Sequence, residues 1–117
     1  MRKTYLSDVF SLNMLNEFPA EILVINLDKE KFCSSLKLEL EYGNIENIMR
    51  YSNSAKVVNF LCGTHFHKNE SEIHLNKGDM VLVVLPKIKI DKDSELTDET
   101  VKSLYEKGRI KFYKVLI

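Results

Sequence analysis

The sequence predicts an α/β domain in which helices flank a single mixed β-sheet of about five strands. Runs typical of strands alternate along the chain with runs typical of helices, which is the pattern of a sheet covered by helices. The chain has 117 residues, the length of one domain, and 44% of them are hydrophobic while 29% are charged. That composition is typical of globular proteins and excludes a disordered chain. We therefore expect residues 1–117 to form a single domain.

The first half of the chain predicts two strands and one helix. Residues 2–6 form a short strand, and residues 21–26 form a continuously apolar strand of the kind that is buried on both faces. Asp28 is placed to cap the helix that follows, because its carboxylate can accept a hydrogen bond from a free amide there. The secondary structure of residues 39–50 is ambiguous, because Gly43 interrupts their pattern. The apolar stripe of the helix consists of Phe32, Cys33 and Leu36.

A second helix and a β-hairpin are predicted next. The helix covers residues 54–62, has its cap among residues 52–54 and ends at Gly63, which suits the left-handed conformation at a helix end. The turn at residues 76–79 contains Gly78 and indicates a hairpin. The core face of the helix is formed by Ala55, Val58, Leu61 and Cys62, and the hairpin strands cover residues 70–75 and 80–85.

The end of the chain predicts one more helix and a closing strand. Thr97 caps the helix, and Lys107 lies in its last turn, where the helix dipole favours a cation. Gly108 ends the helix, and residues 109–117 form the strand. The apolar stripe of this helix consists of Val101, Leu104 and Tyr105.

The charge balance and the apolar runs exclude two kinds of partner. Seventeen basic residues balance seventeen acidic ones, which argues against a broad basic face for duplex DNA. The longest apolar runs, at residues 22–25 and 80–85, fall far short of the ~20 residues that span a bilayer. The first residues lack the apolar stretch of an export signal. We expect a protein of the host cell cytoplasm that contacts neither a membrane nor duplex DNA.

Two cysteines and three histidines carry no recognised metal motif. Cys33 and Cys62 are expected to be buried apolar side chains, with a disulfide between two adjacent helices as the alternative in a thermophilic host. His65, His67 and His74 have no carboxylate or cysteine at a recognised ligand spacing. We therefore expect solvated histidines, no metal and no cofactor.

The segment of residues 8–15 is the first candidate ligand site. Serine and asparagine at this spacing favour a tight turn in which side chains bond neighbouring backbone groups. One interpretation is a structural turn that buries its apolar side chains. The other is that Ser11 and Asn13 offer a hydroxyl and an amide to a polar ligand.

The start of the second helix is another candidate. Free amides at a helix N-terminus bind phosphate, and Asn53 and Ser54 add polar side chains there. Arg50 would add positive charge, and Tyr51 would add a stacking face or a proton. The lysines at 87, 89 and 92, which alternate with Asp91 and Asp93, are typical of a solvated loop.

Residues 8–15 read Asp-Val-Phe-Ser-Leu-Asn-Met-Leu and resemble the Asn-Ala-Phe-Ser-x-Asn-Met-Leu signature of the viral anti-CRISPR ring nucleases. These are small proteins of crenarchaeal viruses and phages that degrade cyclic tetra-adenylate. The resemblance covers nearly the whole chain. Its further matches are Phe18-Pro19, residues 61–64, Lys68-Asn69, residues 72–75, residues 104–106 and residues 108–113.

The resemblance implies a homodimer that binds cyclic tetra-adenylate across its two-fold axis. Without a metal, the 2′-hydroxyl of the ligand attacks the adjacent phosphodiester and leaves a cyclic phosphate end. A histidine at the start of the second helix acts as the general acid, while other groups bind the phosphate charge.

The chain departs from the family pattern at five positions. Tyr51 replaces the histidine, and Glu70 replaces an arginine that follows an asparagine. Lys89 falls at a second arginine, Lys92 at an acidic residue and Asp8 at the usual asparagine. The positions that retain the family residue are Ser11 and Asn13.

These departures predict a catalytically impaired homologue that still binds a cyclic oligoadenylate across a dimer groove. Two alternatives stay open. One is an active ring nuclease in which Tyr51 and the lysines carry the reaction. The other is a dimeric protein–protein interaction module without a nucleotide ligand.

Overall fold

A computed structural model describes residues 3–87 and 96–117 as one five-stranded mixed sheet with three α-helices. The predicted α/β class is therefore confirmed. The strands are β1 (Thr4–Ser7), β2 (Leu23–Leu27), β3 (Ile45–Asn47), β4 (Met80–Pro86) and β5 (Ile110–Leu116). The helices are α1 (Lys29–Glu41), α2 (Ser52–Cys62) and α3 (Asp98–Glu106).

The strands lie in the order β2-β5-β4-β1-β3. β4 is central, parallel to β1 and antiparallel to β5, and its first five residues are all buried. β3 pairs in parallel with β1 at one edge of the sheet, where the Lys3 amine lies 2.6 Å from the Glu46 carboxylate. The hydrogen bond to Glu46 raises the pKa of the Lys3 amine. The parallel pairing brings the carboxyl ends of β1, β3 and β4 to the same end of the sheet.

The strand predicted over residues 21–26 is found as β2, but its predicted burial was wrong. β2 is the edge strand beside β5, and the side chains of Leu23 and Val24 are 57% and 53% exposed. A continuous apolar run is typical of a strand covered on both faces, and the same run also fits an edge strand left uncovered.

The predicted hairpin over residues 70–85 was also wrong. The turn exists, with Gly78 at φ +94° and Asp79 accepting a hydrogen bond from the amide of Asn76. Residues 66–74, however, form no strand, and Leu75 makes a single parallel bridge to Leu15. Both edges of β4 are already paired, with β1 and with β5, so the segment before the turn has no free edge to join.

The helices end largely as predicted, but the cap predicted for α2 among residues 52–54 was wrong, because α2 begins at Ser52 and Tyr51 holds the N-cap position. Asp28 and Thr97 cap α1 and α3, and Gly63 ends α2 in the left-handed conformation. The ambiguous residues 39–50 contain the end of α1, the turn at Gly43 and then β3. None of the helices in the described residues is long and apolar enough to cross a membrane.

The core lies on both faces of the sheet. The three helices cover one face through Phe32, Leu36, Val58 and Val101, all fully buried. Loops cover the other face, where Met14, Leu15 and Leu75 pack on β4.

The expectation that the cysteines are free apolar side chains was wrong. Cys33 of α1 and Cys62 of α2 form a disulfide that joins the two helices. Both residues are buried, as expected. The alternative of adjacent helices joined by a disulfide is therefore the one that the structure contains.

Candidate functional site

A cavity of about 310 Å³ lies at the end of the sheet where β1 and β3 finish. Its lining comes from three segments, within residues 9–14, 48–50 and 71–74. We call this cavity the Ser11 cleft. The first two segments follow β1 and β3, so their parallel pairing brings them together. The Ser11 cleft is at the small end of the ~300–1,000 Å³ range of small-molecule sites.

The interpretation of residues 8–15 as a structural turn is confirmed in part, and the interpretation as a ligand site stays a prediction. Residues 12–14 form a 3₁₀ turn, in which the Ser11 hydroxyl oxygen accepts a hydrogen bond from the Asn13 amide. Met14 and Leu15 are buried beneath the turn, whereas Leu12, expected in the core, is 64% exposed. Ser11 and Asn13 also line the Ser11 cleft, which is where a polar ligand would meet them.

Asp8 holds the two residues that lead into α2. Tyr51 occupies the N-cap position of α2, but its side chain makes no capping hydrogen bond. Instead, the two carboxylate oxygens of Asp8 accept from the backbone amides of Arg50, at 3.0 and 3.1 Å, and Tyr51, at 3.0 Å. The negative carboxylate lies where the helix dipole favours an anion. Of the segment at residues 50–54 that was predicted to bind a ligand phosphate, the amides of Arg50 and Tyr51 are thus bound by an internal carboxylate.

The two polar residues predicted at the helix start do not line the Ser11 cleft. Asn53 is buried, and its side-chain oxygen accepts a hydrogen bond at 3.1 Å from the amide of Leu96, just before α3. Ser54 is 1% exposed, and its hydroxyl has no hydrogen-bond partner within the described part of the chain. Their positions indicate a role in attaching α2 to the rest of the fold.

Tyr51 and Glu70, which stand at two altered family positions, are both exposed to solvent. Tyr51 is 45% exposed and adjoins Arg50 of the cleft lining. Glu70 directly precedes the lining residue Ser71 and follows Asn69, whose amide donates to the carbonyl of Met49 at 2.7 Å. Both side chains therefore belong to residues next to the lining. Lys89 and Lys92 lie outside the described residues.

The histidines are solvated as expected, but they do not lie on strands and they do not converge. His74 lines the Ser11 cleft. His67 lines a separate groove of about 620 Å³ beside α2, together with Lys56 and Phe60. Within residues 3–87 and 96–117, no three histidine, cysteine or acidic side chains are grouped as a metal site would need.

Sequence reasoning missed how residues 66–74 are held at the site. The Asn59 side chain accepts from the amide of Phe66 at 2.7 Å and donates to its carbonyl at 2.8 Å. The side chain of Asn47 donates to the carbonyl of His67, and that of Asn69 donates to the carbonyl of Asn47 at 2.9 Å. These amide side chains fix an irregular segment against β3 and α2. Isolated asparagines in a sequence carry no signal of such pairing.

We expect the substitution Asp8→Ala to lower the free energy of unfolding by roughly 1–3 kcal/mol, because it removes part-buried, charge-assisted hydrogen bonds to the amides of Arg50 and Tyr51. Asp28→Ala, which removes a single capping bond from α1, is the matched control and is expected to cost about 1 kcal/mol. Urea unfolding of the two variants measures the difference. If Asp8→Ala lowered the free energy of unfolding by less than Asp28→Ala, the stabilising role of the Asp8 carboxylate would be contradicted.

Comparison with known proteins identifies relatives among viruses, although no family model matches the chain. ORF116, an uncharacterised protein of Acidianus filamentous virus 1, is 23% identical over 110 residues, covering 94% of this chain and 91% of that protein. The structure of B116 from Sulfolobus turreted icosahedral virus is 38% identical, with a TM-score of 0.88 over 98% of this chain and 99% of that one. The chain therefore belongs to the family of crenarchaeal virus proteins that includes B116.

Proposed function

We propose that this protein is a divergent viral relative of the anti-CRISPR ring nucleases that binds cyclic tetra-adenylate in the Ser11 cleft and cleaves it slowly. The observation that carries the proposal is the position of Ser11 and Asn13, the retained signature residues, in one cavity with Arg50. Membership of a virus protein family is consistent with a function directed against host defence.

The Ser11 cleft offers the groups that a nucleotide needs. Serine and asparagine side chains can donate hydrogen bonds to ribose hydroxyls, phosphate oxygens or base atoms, and arginine can bind a phosphate through two parallel bonds. Met14 and Ile73 add apolar surface to the lining, as is usual in small-molecule sites.

We expect slow cleavage because of the residues that stand at the altered family positions. In the family reaction, the 2′-oxygen attacks the neighbouring phosphorus and the bond from phosphorus to the 5′-oxygen breaks. The 2′-hydroxyl loses its proton, and the departing 5′-oxygen gains one from the general acid. Tyrosine holds its proton far more tightly near neutral pH than histidine does, so Tyr51 is a poor donor for this step.

The carboxylates of Asp8 and Glu70, which stand at altered family positions, also oppose binding of the phosphodiester. Asp8 accepts the hydrogen bonds of two amides at the start of α2, so these amides stabilise the carboxylate instead of the ligand. Glu70 places a second negative charge where the family has an arginine. A like charge at ~4 Å costs on the order of 1–4 kcal/mol, depending on how well water screens it.

Ligand binding is tested by titrating labelled cyclic tetra-adenylate with the protein and following fluorescence anisotropy. Ser11→Ala and Asn13→Ala are expected to weaken binding by about five- to ten-fold each, because each removes one neutral hydrogen bond. Ser34→Ala, in α1 and away from the Ser11 cleft, is the matched control. An affinity that neither Ser11→Ala nor Asn13→Ala alters would contradict this site.

We expect a homodimer, because one Ser11 cleft has room for only part of a ring of four nucleotides. A ligand with two-fold symmetry suits an interface in which both copies use the same surface. Light scattering at micromolar concentration should give twice the 13.6 kDa of one chain. A mass of 13.6 kDa would contradict the dimer.

The substitution Val24→Lys is the control for the position of the interface. β2 lies at the opposite edge of the sheet from β3, and three strand spacings of ~4.8 Å separate it from β1. We expect Val24→Lys to leave the dimer intact. If this variant were monomeric, the interface would lie at β2, and the two clefts would be too far apart to share one ring.

A second candidate function, a protein–protein interaction module without a nucleotide, is favoured by the exposed apolar edge. Phe18, Leu23 and Val24 are each more than half exposed at or near β2. Exposed apolar edge strands are templates for pairing with another chain. Absence of any binding to cyclic tetra-adenylate, with the dimer intact, would favour this second function.

A further inference from the structure

We propose that Arg50 and His74 are the phosphate-binding side chains of the Ser11 cleft. This inference rests on the proposed function for the identity of the natural ligand. Its own claim is that the cleft recognises an anionic phosphate through these two side chains.

Both residues line the same cavity, although they come from distant parts of the chain. Arg50 follows β3, whereas His74 precedes the turn that leads into β4. A guanidinium group presents a planar set of N–H donors that matches two phosphate oxygens, and an imidazole N–H adds one more donor. The cavity therefore combines the permanent positive charge of an arginine with the hydrogen-bond donor of an imidazole.

The two side chains are available to a ligand. Within residues 3–87 and 96–117, neither the Arg50 guanidinium nor the His74 imidazole has a hydrogen bond or an ion pair. Glu72 lines the same cavity and has no partner there either, so Arg50 is not neutralised by a direct ion pair with it. An arginine without a carboxylate partner beside a cavity can bind an anion without first breaking a contact.

The backbone at each residue is held in place. The amide of Arg50 donates to both oxygens of Asp8, so the residue is fixed at the end of β3. His74 adjoins Leu75, which is 1% exposed and exchanges backbone hydrogen bonds with Met14 and Asn16 at 2.7 and 2.9 Å. The contact with Asp8 thus fixes the backbone from which the Arg50 side chain extends. Fixed anchor points reduce the ordering that a bound phosphate must impose.

Glu72 gives the proposal a test in the opposite direction. Its carboxylate lines the cleft and repels a phosphate, so its removal should strengthen binding while the removal of Arg50 weakens it. We expect Arg50→Gln to weaken binding about ten- to hundred-fold and His74→Ala about three- to thirty-fold. We expect Glu72→Gln to strengthen binding roughly three- to ten-fold.

The experiment uses two probes on the full chain. Labelled cyclic tetra-adenylate is followed by anisotropy, and inorganic pyrophosphate is followed by its own phosphorus-31 NMR signal, which is present in every variant. Lys56→Gln and His67→Ala, in the separate groove beside α2, are the matched controls for Arg50→Gln and His74→Ala. Thermal unfolding checks that each variant is folded.

The outcomes separate this inference from the proposed function. Loss of binding of both probes in Arg50→Gln and His74→Ala, with the two controls unchanged, is the expected result. Pyrophosphate binding that depends on Arg50, without binding of the cyclic nucleotide, would support the inference and overturn the proposed function. Binding of the nucleotide that is equal in wild type and both variants would overturn the inference alone. If the wild type bound neither probe, both would be wrong.

Discussion

Single-turnover assays with excess protein are expected to show slow cleavage of labelled cyclic tetra-adenylate. The reference proteins are relatives that have histidine at the position of Tyr51 and arginine at the position of Glu70. The rate should be lower than theirs by a factor of about a hundred or more. A positioned general acid contributes typically about a hundred- to ten-thousand-fold to such a rate. Tyr51 is exposed and lies beside the cleft lining, so it can approach the ligand, but its proton is poorly suited to transfer at neutral pH.

The double substitution Tyr51→His with Glu70→Arg is expected to recover rate. Histidine restores a proton donor for the 5′-oxygen, and arginine replaces a repulsive charge by an attractive one. Because both groups act in one reaction, their effects need not add, and each single variant must be measured as well. Tyr42→His, at an exposed position after α1, is the matched control and is expected to change nothing.

Two results would contradict the impaired enzyme. Fast cleavage by the unmodified protein would do so directly. If the wild type cleaved fast and Tyr51→Phe abolished that cleavage, the tyrosine itself would transfer the proton.

If the wild type were slow and the double substitution did not accelerate it, Asp8, which binds the amides of Arg50 and Tyr51, would also limit the reaction. The triple variant with Asp8→Asn tests that point.

Breaking the disulfide between Cys33 and Cys62 is expected to have the largest effect on stability. The bond joins residues 29 apart, and closing a loop of that length stabilises a protein by about 3–4 kcal/mol in the chain-entropy model. For a domain of this size, the corresponding fall in melting temperature is on the order of 10–15 °C. Calorimetry with and without a reductant measures it.

The variants Cys33→Ala, Cys62→Ala and their combination provide the control. Either single substitution breaks the bond, so the double variant should cost little more than each single one. The double variant should also be insensitive to reductant. Two freely reacting thiols in the unreduced, denatured protein would show that the bond does not form.

Much of the fold could be predicted from local signals in the sequence. The caps at Asp28 and Thr97 and the left-handed Gly63 depend on contacts within a few residues, so the residue types are sufficient. The closing strand was found because its apolar pattern continues to the end of the chain. The burial of β2 depends on which strands lie beside it, and an apolar run carries no information about its neighbours.

The candidate site was only partly predictable, because it depends on contacts between distant residues. Ser11 and Asn13 were found through their turn and through the resemblance, and they do line the cleft. The hydrogen bonds from Arg50 and Tyr51 to Asp8 join residues 42 and 43 positions apart, which no spacing rule indicates. The position of His74 in the cleft was missed because residues 70–74, predicted as part of a strand, form a loop.

The disulfide also closes residues 33–62 into a covalent loop, which contains β3, Tyr51 and most of α2. A protease that cuts once between residues 34 and 61 therefore opens the loop without releasing a fragment. The nicked protein keeps its full mass until a reductant separates the two pieces. The residues that follow β3 thus stay covalently attached to the first part of the chain after a cut within the loop. In a chain without the disulfide, the same cut would leave no covalent bond between the two parts.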